Sequence, residues 1–80
     1  MPKLPILSSK EVIKILKFLG FEYAPKRGKG SHSAFVKKTE DKTRLVIVPH
    51  RDEIPRGTLV SIIEQMGLTR IEFIKMLKRL

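Results

Sequence analysis

The sequence predicts an α+β domain: a three-stranded antiparallel sheet with helices covering one face. Three observations carry that reading. The chain opens with an amphipathic helical pattern that has its own start and stop signals, continues through extended segments on short turns, and closes with two more helical patterns. A small sheet has to bury at least one face, and amphipathic helices are the cover available to it.

Residues 1–7, MPKLPIL, carry two prolines and read as an extended lead-in. Ser8 and Glu11 have the S-x-x-E spacing of a capping box, in which each side chain satisfies a backbone N–H left free by the first helical turn. Val12, Ile15, Leu16 and Leu19 recur at helical spacing, and Gly20 supplies the stop. Lys10, Lys14 and Lys17 fall on the other side, as a solvated face or a row of phosphate contacts. From Phe21 to Ala24 the period changes to that of a strand, which Pro25 through Gly30 interrupts. Ser31–Lys38 resumes an extended pattern, residues 39–42 form a polar turn, and Thr43–Val48 is a β-branched third strand ended by Pro49. A second helix is expected from about Arg56 to Met66, with Leu59, Ile62, Ile63 and Met66 on its apolar face and Gly67 at its end. Glu53 is expected to cap this helix or to meet a basic residue. Thr69 and Glu72 repeat the capping-box spacing and open a last helix reaching Leu80. The resulting α-β-β-β-α order, with an extra C-terminal helix, is double-stranded-RNA-binding-domain-like; that fold reads RNA through shape and backbone contacts.

Eighty residues make one domain, 1–80, with a modest core, so any site is expected on an open face or in a shallow cleft. Such a site suits a polymer better than a small metabolite. Seventeen Lys and Arg against eight Asp and Glu give a formal charge of +9, which favours a polyanionic partner, nucleic acid before membrane. With no cysteine, disulfides and thiolate metal sites are excluded, and a reducing cytoplasm is the expected location. No segment reads as a membrane span or a signal peptide. Nothing resembles a P-loop, a dinucleotide fingerprint or a Ser-His-Asp order, and no small-molecule cofactor is expected.

The segment RGKGSHSAF, residues 27–35, places one of the two histidines beside a cationic, glycine-punctuated loop. Strand alternation sends His32, Ala34 and Val36 one way and Ser33, Phe35 and Lys37 the other. Phe35 is the natural core residue, which leaves His32 on the uncovered side. An imidazole can take or give a proton near neutral pH. Beside Lys26, Arg27 and Lys29 it suits RNA cleavage through the ribose 2′-hydroxyl, with the cations stabilising charge on phosphorus. The glycines Gly28 and Gly30 would let the backbone approach a ligand closely, and Ser31 beside them is a further expected RNA contact. The competing reading is an exposed histidine beside a basic hairpin turn. His50, in PHRDE, is either a second acid/base group or a solvated loop residue, and Asp52 and Glu53 could join it only weakly as metal ligands. Tyr23 could stack on a base or pack at the sheet rim.

GSHSAF at 30–35, IVP at 47–49 and EIPRGTLVSIIEQMGL at 53–68 resemble the HicA-type (YcfA-like) mRNA interferase toxins, from Ser8 onward. The resemblance implies a double-stranded-RNA-binding-like fold and metal-independent cleavage of mRNA. It also implies a HicB-type antitoxin that masks the active face, and a catalytic role for His32. Two positions depart from the family pattern. The family loop usually carries its histidine two residues after the proline, where this chain has Arg51; His50 follows Pro49 directly, and no catalytic role carries over to it. Glu64 stands where a basic residue often precedes the glutamine.

The expected function is that of a toxin of a type II toxin–antitoxin pair, an endoribonuclease acting on single-stranded mRNA. The alternatives are a noncatalytic RNA-binding module using the same basic face and a small ribosome-associated structural protein. The antitoxin is expected to be acidic and to cover His32 and the 26–30 loop. Apolar contacts on the uncovered side of the sheet, at Ala34, Val36, Val46 or Val48, are expected to hold it.

Overall fold

The computed structural model describes residues 3–80, so the first two residues of the expected lead-in lie outside the described residues. The elements follow the order read from the sequence: α1 (Ser9–Phe18), β1 (Glu22–Tyr23), β2 (His32–Lys38), β3 (Thr43–Pro49), α2 (Arg56–Met66) and α3 (Arg70–Arg79).

Local chemistry sets the helix ends. At α1 the Ser8 N–H donates to Glu11 Oε1 at 3.0 Å, and the Glu11 N–H donates to Ser8 Oγ at 3.3 Å, which closes the capping box. Gly20, at φ 94°, turns the chain out of α1 while the N–H groups of Gly20 and Phe21 donate to the carbonyls of Lys17 and Leu16. This is the paired closure that a left-handed residue permits. Gly67 ends α2 in the same way, and Thr69 with Glu72 forms the second capping box, at 2.9 and 3.1 Å. Glu53 does not cap α2. The N-cap position falls on Pro55, whose side chain has no acceptor for the free N–H groups of the first turn, and Glu53 sits two residues too early to take its place.

The sheet runs β1-β2-β3 with both pairs antiparallel. Its register pairs Phe35 with Val46 and Ser33 with Val48, and these four side chains face the helices. Val12, Ile15 and Leu16 from α1, Leu59, Ile62, Ile63 and Met66 from α2, and Phe73 from α3 join Phe35, Val46 and Val48 in one apolar cluster. Each fully buried side chain of this size contributes roughly 1.5–3 kcal/mol. All three helices therefore cover the same face. His32, Ala34 and Val36 of β2 stand on the opposite face with their partners Pro49, Ile47 and Leu45. Val46 and Val48, expected on the uncovered side, are fully buried under the helices, because the register pairs them with Phe35 and Ser33. Leu45 and Ile47 hold the outer positions instead. Ala34 is also fully buried, although it points outward, and Val36 is half-buried.

β1 is only two residues long, so the edge of β2 beyond it is served by the loop that follows. The Ala24 N–H donates to the Ala34 carbonyl at 2.8 Å, and the His32 N–H donates to the Lys29 carbonyl at 3.0 Å. On the far edge, the Ile47 N–H points away from β2 and donates to Gln65 Oε1 of α2 at 2.9 Å. Pro49 occupies the next outward position, where its lack of an N–H costs the β2–β3 ladder nothing.

Candidate nucleic-acid interface

His32 is the first residue of β2 and is exposed on the outer face of the sheet. Its backbone is fixed by the bond to Lys29 and by pairing with Pro49. Ser31 Oγ lies 3.3 Å from Nδ1 of the ring. When Nδ1–H donates to that oxygen, Nε2 keeps its lone pair and is the nitrogen available to a substrate.

An open cleft of about 340 Å³ begins at this ring. Ser31 and His32 form one wall, and Ile47, Pro49 and Pro55 supply an apolar floor. Arg51, Thr58 and Gln65 bring polar groups from the loop after β3 and from α2. Sequence reasoning did not assign these three residues to the site. Arg51 had one signal, its place two residues after Pro49, where the family pattern expects a histidine. Gln65 and Thr58 lie within the motif that carried the resemblance, but nothing in the spacing indicated that α2 would lie beside His32.

The loop carrying Arg51 is pinned on both sides. The His50 N–H donates to the Ser31 carbonyl at 2.8 Å, and the Ser9 N–H donates to the Arg51 carbonyl at 2.9 Å. His50 Nε2 and Ser33 Oγ are 2.5 Å apart. Ser33 is 8 % exposed and faces the helices, and this bond satisfies its hydroxyl. Both imidazoles border the cleft: His32 stands exposed on the outer face, and His50 lines the cleft with its Nε2 tied to Ser33.

The cationic loop is placed differently from the cleft. Lys26, Arg27 and Lys29 are exposed but do not line it, so Arg51 is the cation that shares the cleft with His32. Gly30 faces open space. At Gly28 a Cβ would come within 2.7 Å of the His32 carbonyl oxygen and 3.1 Å of the Ala34 nitrogen. The absence of a side chain there lets the loop lie against the edge of β2. Tyr23 packs at the rim, its ring centroid 5.6 Å from that of Phe35. Among the described residues, no group of three His, Asp or Glu side chains could hold a metal ion, and no helix is long and apolar enough to cross a membrane.

An exposed histidine and arginine on a +9 chain, in a cleft open along the sheet, define a small α+β domain that works at its surface. The chain belongs to the family described as the HicA toxin of bacterial toxin–antitoxin systems, whose model matches residues 9–68. It is accordingly the toxin of such a pair, and an antitoxin is its partner. The match takes in α1, the sheet and α2 and ends before α3. No curated relative and no solved structure matched the chain.

Proposed function

We propose that this toxin is a metal-independent endoribonuclease that cleaves single-stranded mRNA in the cytoplasm, with His32 as its acid/base group. The observation that carries the reading is the shared cleft: an exposed imidazole faces the same open space as a pinned arginine. His32 Nε2 takes the proton of a ribose 2′-hydroxyl, and the 2′-oxygen attacks the adjacent phosphorus. The bond from phosphorus to the 5′-oxygen breaks, water protonates that oxygen, and a 2′,3′-cyclic phosphate and a 5′-hydroxyl end result. Arg51 stabilises the added charge on the phosphoryl oxygens as the transition state forms. Lys26, Arg27 and Lys29, outside the cleft, hold flanking phosphates, and Ser31 orients the imidazole.

A HicB-type antitoxin of acidic character is proposed to cover His32 and the outer face of the sheet, where Val36, Leu45 and Ile47 offer apolar contacts. Complementary charge would make its association fast and salt-sensitive.

One observation favours the noncatalytic alternative, an RNA-binding module. Among the described residues lining the cleft, Arg51 stays charged and the other titratable side chain, His50, has its Nε2 engaged by Ser33, so neither offers an unengaged proton carrier for the 5′-oxygen. A single experiment separates the two readings. Purified protein is incubated with a long unstructured mRNA in EDTA beside its His32→Ala variant, and fragment ends are analysed. Cyclic-phosphate ends from the native protein, absent with a folded variant, are expected. Equal cleavage by both, or binding without cleavage by either, removes the catalytic assignment.

A further inference from the structure

We propose that Gln65 reads the edge of one base in the His32 cleft as a hydrogen-bond donor, so that keto bases (uracil and guanine) are preferred to amino bases (cytosine and adenine). The inference rests on the reading of the cleft as an RNA site and names what that site selects.

β3 is an edge strand, and its outward Ile47 N–H donates to Gln65 Oε1 at 2.9 Å. That bond decides which way the amide is turned, because the reverse orientation would set the NH₂ hydrogens against the strand N–H. The NH₂ is therefore directed away from the strand, and it has no hydrogen-bond partner among the described residues. Gln65 lines the cleft, so this donor is the polar group it has left to offer a ligand.

A glutamine with both amide atoms available favours adenine, donating to N7 and accepting from N6. Here the oxygen is already engaged by the strand, and that bidentate pairing is weakened. A lone NH₂ donor favours an edge where acceptors are not flanked by a competing donor: O4 of uracil, or the paired O6 and N7 of guanine, whereas adenine sets its N6 donor beside N7. It opposes the exocyclic amino groups of cytosine and adenine, which are donors themselves. The floor made by Ile47, Pro49 and Pro55 gives the base an apolar surface to lie on. The Thr58 hydroxyl both donates and accepts, so it sets no polarity of its own. His32 and Arg51, at the same cleft, are left to the ribose and phosphate, which carry no base information.

Uracil and cytosine give the cleanest comparison. They share ring size and O2, and their edges differ at C4 (keto against amino) and at N3 (donor against acceptor). A Gln65 donor placed on O4 of uracil would therefore have to shift to N3 in cytosine. Dissociation constants for octauridylate and octacytidylate are measured at one salt concentration, on a His32→Ala background that prevents cleavage. Octauridylate should bind about two- to tenfold more tightly, the worth of one net hydrogen bond. In Gln65→Glu one carboxylate oxygen keeps the Ile47 N–H and the other becomes an acceptor, so the order should reverse while both affinities fall. In Gln65→Met the ratio should approach one. In parallel, the protein with His32 intact is given RNA of random sequence and the bases flanking each cut are counted; uracil and guanine should be enriched, and Gln65→Glu should remove the enrichment.

A ratio near one with Gln65 present, or a ratio unchanged in both variants, overturns the inference. Cleavage without base preference overturns it and leaves the nuclease reading standing. A Gln65-dependent preference in binding, with no cleavage by the His32-containing protein, supports it while removing the nuclease reading. Failure to bind or cut any RNA removes both.

Discussion

Replacing Gly28 by alanine tests whether the glycines of the cationic loop serve the ligand or the fold. Its φ lies outside the left-handed region, so alanine meets no intrinsic backbone penalty there. The cost comes from contact. The new Cβ would stand 2.7 Å from the His32 carbonyl oxygen, 3.1 Å from the Ala34 nitrogen and 3.3 Å from the Ser33 Cα. All three atoms belong to the backbone of β2, so no side chain can swing aside. The loop must lift from the strand, weakening the Lys29–His32 turn that holds the catalytic candidate in place. Overpacking of this kind costs about 1–3 kcal/mol, and unyielding neighbours put Gly28→Ala in the upper part of that range. Gly30→Ala is the control. Its Cβ would meet nothing within 4 Å, and only the positive φ of 54° is unfavourable, at roughly 1–2 kcal/mol. Urea unfolding measures both costs, and cleavage of an unstructured RNA reports on His32. Gly28→Ala should be the less stable and should lose activity, while Gly30→Ala keeps most of its activity. A Gly28→Ala protein as stable as the unaltered chain but weaker in RNA affinity would refute the packing argument and return the residue to the ligand.

Three further outcomes are expected. Replacing Lys26, Arg27 and Lys29 together should flatten the salt dependence of RNA binding by about 0.7 in log–log slope per lost phosphate contact, and an unchanged slope would direct attention to the Lys10, Lys14 and Lys17 face. Phe73 is the one buried residue of α3, so Phe73→Ala, a change costing about 3–5 kcal/mol when a core site is emptied, should raise amide exchange across α3 while α1 and the sheet stay protected; unchanged exchange in α3 would contradict this anchoring. The Glu72 carboxyl is held below its usual 4.5 first by the Thr69 backbone N–H, then by the Thr69 hydroxyl and the Lys75 charge. Its contribution to the α3 cap is therefore complete above pH 4.5 and is lost as pH falls through the lowered value. Amide exchange in the first turn of α3 should rise on acidification below that point, and much less so in Glu72→Gln.

Features decided by residues close together in the chain were legible in the sequence alone. Both capping boxes, the glycine that ends α1 and the span of α2 stand where the sequence put them, because each is decided within one helical turn. The alternation of β2 also placed Phe35 in the core and His32 outside. β3 was less readable, since its continuous apolar run hides which face is inward, and only the pairing with β2 sends Val46 and Val48 under the helices. The make-up of the cleft was beyond the sequence for a related reason. Thr58 and Gln65 share the cleft with His32 because α2 runs beside β3, and Arg51 because the loop after β3 is pinned to Ser31 and Ser9, tertiary placements with no local signature. The basic loop drew attention by its composition, yet its backbone is engaged with β2 and its cations stand outside the cleft.

The bond between Ile47 and Gln65 also bears on how this toxin avoids itself. An exposed edge strand is a template for pairing with another chain, and an apolar edge strand in a small domain is a hazard for self-association. The outward positions of β3 are Thr43, Leu45, Ile47 and Pro49. Proline has no N–H to offer, and Gln65 occupies the one at Ile47, so the row of donors is broken along half of the strand. A second copy could find register only over Thr43 and Leu45, too short a stretch to hold a strand. Contact with the sheet is thereby left to side chains on its face, where the sequence of a partner decides the fit.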